Sequence, residues 1–405
     1  MRLLVPTFFS VAALTAGATA RAQGVPVGGF PNWQERTLWV FVNRDRADPQ
    51  TALAPCIDGG GCPDAMCYKT PLPPLAYDVR LGHSARLQPT ILAENNVPLM
   101  HPSPCLLKAD IGETYPDECD GGTDCVCQTA VQCSSPRDGP GSGSADAGYC
   151  SCSEDTSDTS KFEDPFARIA LFAPGSSAYA ENLAAGQPDP MNVESGWLNE
   201  DCTCCPTFAC VSLECPGNTG STNGHRANLL TNPNTLNSIG LGAVATPAGD
   251  CYGGPDVTYY WGQDFAFFRS AGVQELVAGS HFPQSGTSLT FYANWFDPQG
   301  GAPSKATVVI GSESHAMTLD RGDAGNATYA YAATLPANSC RPYTFAFTDS
   351  SGLGLTLPVS GSYLAGDDCT ADYSAGGGCA TGAGEPWLGG VLLAVGALRR
   401  RKLTK

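Results

Sequence analysis

Cysteine content is the feature that most constrains how this chain can fold. Sixteen of the 19 cysteines lie between Cys56 and Cys251, Cys340 and Cys369 follow, and Cys379 stands near the end. Residues 1–22 have a positive start, a run of small apolar residues and an Ala-Arg-Ala ending, which is the pattern of a signal peptide. Cysteines of an exported chain form disulfides, and irregular spacing disfavours zinc ribbons. We therefore predict an exported, disulfide-bonded protein whose connectivity the spacing does not reveal.

Periodicity predicts the first helices and one long loop. Residues 33–46 and 78–94 place apolar residues at helical spacing. Pro89 predicts a kink or an early end of the second helix, and we expect its Arg86 on the outer face. The stretch 51–74 is rich in turn residues and is predicted as a loop.

Further along the chain, the apolar residues change to a period of two. Residues 239–245 and 257–268 are rich in β-branched and aromatic residues and are predicted as strands. Residues 280–366 contain short alternating runs, such as LTFYANW, between frequent turn signals. This pattern is typical of a β-sandwich of about seven strands. The region resembles immunoglobulin-like or fibronectin-like modules.

Side chains suited to chemistry are concentrated in a few short stretches. Glu181 lies in YAENLAAG, Glu200 ends GWLNE, His225 lies in NGHRANLL, and His101 lies upstream in MHPSPC. Two imidazoles and two carboxylates suit zinc or another divalent cation in a tetrahedral site. The same groups can instead brace a core through hydrogen bonds, since buried charges need partners. The sequence leaves bracing, metal binding and catalysis open.

Support for catalysis is limited to these groups. The chain contains no H-E-x-x-H, G-x-S-x-G or Walker A motif. Ser103 is the nearest candidate nucleophile to His101, and no third group is identified that would orient the histidine. The missing motifs favour a non-enzymatic role without deciding it.

Six segments, taken in order, resemble the CAP superfamily (cysteine-rich secretory protein, antigen 5 and pathogenesis-related-1, also called SCP-like). They are WQERTLWVFVNRDRADP, LPPLAYDVRLGHSARLQPTILAEN, MHPSP, AENLAAG with GWLNE, GHRANLLTNPNTLNSIGLGAV and VTYYWGQDF. The resemblance implies an α+β fold class: an α-β-α sandwich (the CAP fold) at residues 31–268, followed by an all-β sandwich domain at residues 280–366. Cysteine-rich insertions at 105–160 and 201–222 would interrupt the first domain.

The resemblance also implies a site. His101, Glu181, Glu200 and His225 correspond to the tetrad in the family's cavity, where some members bind zinc or a similar divalent cation. The family is also associated with signalling and with lipid or sterol binding.

The C-terminal residues 370–405 resemble a MYXO-CTERM sorting tail. A glycine-rich linker leads to Cys379, a short hydrophobic helix at 387–398 and an arginine cluster. Twelve helical residues span about 18 Å, which is short of a hydrocarbon core of about 30 Å. The resemblance implies processing near Cys379, with membrane contact through the tail before processing; the alternative is an ordinary transmembrane helix that anchors the chain. Either route predicts a location at the cell surface or outer membrane, or outside the cell.

The net charge of the chain limits the kinds of molecule that it is expected to bind. The net charge of −17 argues against nucleic acid, because an acidic surface repels phosphates. We expect a secreted or cell-surface binding module for an extracellular ligand, which is a lipid, a metal ion or a protein. The alternative is a divalent-metal-dependent extracellular hydrolase acting on peptide or cell-wall material.

Overall fold

The computed structural model of the chain describes residues 24–58, 65, 67–94, 99–103, 107, 109–115, 133–136, 150–152, 163–199, 224–246 and 258–375. The predicted signal peptide, Glu200, the insertion at 201–222, and Cys379 with the hydrophobic helix of the tail lie outside these residues. Among the described residues, no helix combines the length and the apolar character needed to cross a membrane.

The described residues form seven helices and six strands up to Phe267, and strands without helices from Leu276 onward. The helices are α1 Trp33–Ala47, α2 Pro49–Asp58, α3 Val79–Glu94, α4 Ile111–Thr114, α5 Pro165–Phe172, α6 Pro190–Leu198 and α7 Gly224–Leu229. The strands are β1 Ala76–Tyr77, β2 Cys133–Pro136, β3 Cys150–Cys152, β4 Ser177–Gln187, β5 Ser238–Thr246, β6 Thr258–Phe267, β7 Leu276–Phe282, β8 Ser288–Phe296, β9 Lys305–Ile310, β10 Glu313–Ala316, β11 Thr318–Gly322, β12 Asn326–Thr334, β13 Cys340–Thr348, β14 Gly354–Leu357, β15 Ser362–Gly366 and β16 Tyr373–Ser374.

The first sheet has the strand order β1-β5-β6-β4, and α3 lies directly against it. Glycines make this close approach feasible. A Cβ on Gly240 would lie 1.9 Å from the carbonyl carbon of Leu81, and a Cβ on Gly242 or Gly262 would lie 2.2 or 2.3 Å from the carbonyl oxygen of Ala85. Gly242 and Gly262 are cross-strand partners, and Gly240 is two residues from Gly242, so all three lie on one face. That face carries the candidate site.

Helix α1 is almost completely buried. It begins with a capping box in which the Asn32 side chain accepts from the backbone of Glu35, and the Glu35 carboxylate accepts from the backbone of Asn32. One side of the helix packs on β5 and α6, and another packs on β7, β8 and β12. The hydroxyls of Thr37 and Ser280 are 2.7 Å apart across that second contact. Helix α1 is therefore a shared layer between two sheets.

Two further large sheets and a two-stranded sheet of β2 and β3 complete the described fold. One has the order β11-β12-β8-β7, and the other has the order β10-β9-β13-β15-β16, with β14 paired to β13. Trp295, Phe291 and Phe345 are among the buried residues of the core between them. A disulfide joins Cys340 to Cys369 beside this core, which confirms the prediction that cysteines of this chain form disulfides.

The predicted fold class is wrong. The chain was expected to form an α-β-α sandwich of the CAP type followed by an all-β sandwich domain. Strands instead dominate, with 38% of the described residues against 27% in helices, and they form three sheets of four or more strands. The physical reason lies in the packing of α1. This helix is not part of a separate outer layer of helices, because β7 and β8 of the next sheet pack against it.

Local predictions had mixed outcomes. Arg86 was expected on the outer face of its helix but is 5% exposed, with its Nε and Nη2 donating to the Glu35 carboxylate at 2.9 and 2.8 Å. Helix α3 continues through Pro89 to Glu94. Part of the predicted loop at 51–74 is helical, because α2 extends to Asp58.

Candidate functional site

His101 and Glu181 are in contact although 80 residues separate them in sequence. His101 lies in the loop at residues 99–103, after α3, and Glu181 lies on β4. The imidazole Nδ1 is 2.8 Å from the carboxylate Oε1. The side chain of Glu181 is 2% exposed, whereas that of His101 is 51% exposed. Because Nδ1 faces a carboxylate, the neutral ring carries its hydrogen there. No described residue hydrogen-bonds Nε2, which is the nitrogen left for a ligand.

Arg168, on α5, binds the other oxygen of this carboxylate. Its Nη2 donates to Glu181 Oε2. Its Nη1 donates to Gln88 Oε1 at 2.9 Å, to Ser103 Oγ at 2.8 Å and to the carbonyl of His101 at 3.1 Å. The guanidinium is fully buried, and it compensates the charge of the buried carboxylate.

Gln88, on α3, also holds the loop. Its Nε2 donates to the carbonyls of Met100 at 2.7 Å and Pro102 at 3.1 Å. Arg168 binds the carbonyl between them, that of His101. Three consecutive carbonyls of an exposed loop are thus fixed by two buried side chains.

A second carboxyl group, Asp264 on β6, lies opposite Glu181 in the β4–β6 register. It is fully buried, and neither of its oxygens makes a hydrogen bond of normal geometry within the described residues. Burial, followed by the charge of Glu181, raises the pKa of Asp264 well above its usual value. A raised pKa favours the neutral form of Asp264, which places less negative charge beside Arg168.

His225 lies at the start of α7, which packs along β4 at the edge of the first sheet. Asn182 Nδ2 donates to the carbonyl of His225 at 3.3 Å, and Asn228 Nδ2 donates to the carbonyl of Glu181 at 3.4 Å. The His225 ring centroid is 6.2 Å from that of Trp197. These hydrogen bonds tie the start of α7 to Glu181 and the residue after it. Glu200, the fourth predicted member, lies outside the described residues.

A divalent cation fits only part of the predicted tetrad. Glu181 has one oxygen on His101 and the other on Arg168, and a cation bound to that carboxylate would lie beside a buried guanidinium. Glu181 is therefore suited to orient the histidine rather than to coordinate the metal. His101 Nε2 remains suited to coordination. Within the described ranges, no three His, Cys, Asp or Glu residues are grouped as a metal site.

Ser103 is unsuited to the role of nucleophile. It is completely buried, donates to Gln88 Oε1 at 2.7 Å and accepts from Arg168 Nη1. Its hydroxyl is engaged on both sides and has no access to a substrate. The site as described contains an oriented imidazole without a nucleophilic side chain.

Gln88, Arg168 and Asp264 are site residues that the sequence reasoning missed. The one signal available was Arg168 itself, a single cation within the otherwise apolar helix PFARIALF. A charged residue among buried positions requires a partner of opposite charge. Gln88 and Asp264 carry no comparable signal, because their roles arise from contacts between elements distant in sequence.

Comparisons with known proteins add no family assignment. No protein-family model matches the chain, and no curated protein matches it. The resemblances to the CAP superfamily, to immunoglobulin-like or fibronectin-like modules and to a MYXO-CTERM tail therefore stay predictions.

Proposed function

We propose that this protein is an exported, cell-surface or extracellular binding module that holds a divalent metal ion of the zinc class through His101 Nε2. The role of His101 rests on the geometry of the site, and the other two ligands come from the tetrad that the CAP resemblance implies. One observation carries it: a half-exposed imidazole whose Nδ1 is held by a buried carboxylate. Metal-binding histidines commonly have this arrangement, in which a carboxylate fixes the tautomer and raises the basicity of the coordinating nitrogen.

The remaining ligands are proposed from the tetrad. His225 supplies a second imidazole, on a helix tied to the same part of β4. Glu200 is the predicted third ligand. Zinc prefers such nitrogen and carboxylate ligands in a four-coordinate shell. In this assignment Glu181 does not coordinate the metal, unlike in the predicted four-ligand site.

Zinc content measures this function. The mature chain, produced in an oxidising compartment, is dialysed against zinc and then against metal-free buffer, and its metal is measured by elemental analysis. We expect about one zinc per chain for the wild type and none for a His101→Ala, His225→Ala double variant. His315→Ala is the matched control, because His315 lies on β10 and stacks on Tyr331 away from the site. Equal zinc in the wild type and the double variant would refute the proposal.

A metal-dependent hydrolase is the second candidate. Because Ser103 is buried, the nucleophile would be a water bound to the cation that His101 Nε2 would hold. Turnover of a peptide and glycan panel by the zinc-loaded wild type, lost in Glu200→Gln, would support it. Zinc binding without turnover would leave the binding module as the function.

A further inference from the structure

The loop that carries His101 is held by hydrogen bonds from two buried side chains. Gln88 and Arg168, named here the Gln88–Arg168 clamp, are both fully buried and bind the carbonyls of residues 100–102. Their side chains also contact each other, with Arg168 Nη1 donating to Gln88 Oε1 at 2.9 Å. The loop would otherwise be a short surface connection of the kind that is usually mobile.

The same guanidinium fixes the partner of the histidine ring. Arg168 binds Glu181 through Nη2 and the His101 backbone through Nη1. One rigid, planar group thus sets the distance between the carboxylate and the loop that presents the imidazole. A lysine could supply the charge, but it could not reproduce this fork geometry.

From these contacts we propose that the Gln88–Arg168 clamp positions His101, holding the ring in the tautomer that leaves Nε2 free for a ligand. Both members act through other groups and contact no ligand themselves. The inference deepens the proposed function and rests on it only for the identity of the ligand. A preorganised ring has less conformational freedom to lose when the ligand binds.

The test uses two isosteric or charge-conserving variants. Gln88→Glu keeps the oxygen that accepts from Arg168 but replaces the amide that donates to Met100 and Pro102. Arg168→Lys keeps the positive charge but cannot bind Glu181 and the His101 carbonyl together. Ser103→Ala, which removes only the hydroxyl between the two clamp residues, is a milder third variant in case either substitution prevents folding.

The chain offers matched controls for both substitutions. Gln50 Nε2 also donates to two backbone carbonyls, those of Ala65 at 3.0 Å and Tyr68 at 3.1 Å. Arg36 is also buried, and its Nη1 donates to a backbone carbonyl, that of Pro31 at 3.2 Å, and to a carboxylate, Asp372 Oδ2 at 3.4 Å. Gln50→Glu and Arg36→Lys therefore disturb comparable hydrogen bonds away from His101 and His225.

Two readouts separate positioning from general stability. Long-range nitrogen–proton NMR of the five histidines reports the tautomer of His101, assigned by the loss of its signals in His101→Ala. Zinc titration reports the affinity. We expect the clamp variants to populate the Nε2–H tautomer and to bind zinc about 10- to 100-fold more weakly, and the control variants to match the wild type in both.

The outcomes distinguish this inference from the proposed function. An unchanged His101 tautomer in all folded clamp variants would overturn the positioning role, and so would an equal change in the controls. A wild type that binds no zinc but whose tautomer responds to Gln88→Glu would overturn the proposed function while supporting the clamp.

Discussion

Acidification is expected to destabilise the protein through His281, which lies on β7 beside α1. The side chain is 1% exposed, and its Nδ1 accepts from the Tyr343 hydroxyl at 2.8 Å while its Nε2 donates to the carbonyl of Gln284 at 3.0 Å. Its own carbonyl accepts from Trp33 Nε1 of α1 at 2.9 Å. Burial lowers the pKa of His281 from 6.5 to about 4. The ring is therefore neutral in the folded protein throughout the range in which an unfolded chain becomes protonated.

The sign and the size of the effect follow from this pKa difference. Between pH 6.5 and about pH 4 the unfolded state binds more protons at this residue than the folded state, so the free energy of unfolding falls as the pH falls. The contribution is fully present above pH 6.5. Moving from about pH 7.5 to pH 5 should remove about 2 kcal/mol of stability through His281 alone.

Urea unfolding at both pH values, followed by tryptophan fluorescence with disulfides intact, measures this loss. His281→Gln is the comparison, because its amide can accept from Tyr343 and donate to Gln284 without titrating. Other groups titrate equally in both proteins, so only the difference between them is interpreted. We expect the wild type to lose about 2 kcal/mol more than the variant. Equal losses would refute the assignment of a buried, neutral His281 at the contact with α1.

Two further predictions test the packing of the fold. Gly240→Ala should destabilise the protein by about 3 kcal/mol or more, because the new methyl group would meet the backbone of Leu81, whereas Gly272→Ala, with no atom within 4 Å of its Cβ, should change urea stability little. Arg321→Met should cost about 3 kcal/mol at neutral pH by leaving buried Asp45 unpaired. Burial already raises the pKa of Asp45 to about 6, so the cost of Arg321→Met should shrink near pH 4, where this carboxyl is protonated. A pH-independent cost in urea unfolding would contradict that reasoning.

Local sequence signals predicted the elements whose formation depends on local pattern. The helix expected at 33–46 is α1, and the strands expected at 239–245 and 257–268 are β5 and β6. Each has a clear period or composition that its own residues supply. The signal failed for α2, because turn-forming residues and Pro55 within it obscured its helical character.

Contacts between distant elements were beyond local reasoning. The position of Arg86 in its helix predicted an exposed side chain. Arg86 instead forms a buried ion pair with Glu35, which is 51 residues away in sequence. Likewise, the apolar residues of α1 recur at ordinary helical spacing. This pattern does not indicate that the helix packs between two sheets. The candidate site shows the same division: His101 and Glu181 were predicted together from a family resemblance, whereas Arg168 and Gln88 follow only from the packing of α5 and α3.

The most direct test of the account is a zinc titration of the wild-type chain, followed by NMR of the histidine side chains. We predict that Nε2 of His101 shifts on zinc binding while its Nδ1 stays protonated against Glu181, and that the signals of His281 and His315 do not move. A titration in which His101 keeps its metal-free signals, or in which its Nδ1 loses the hydrogen to the metal, would contradict the central claim that Glu181 orients His101 for ligand binding.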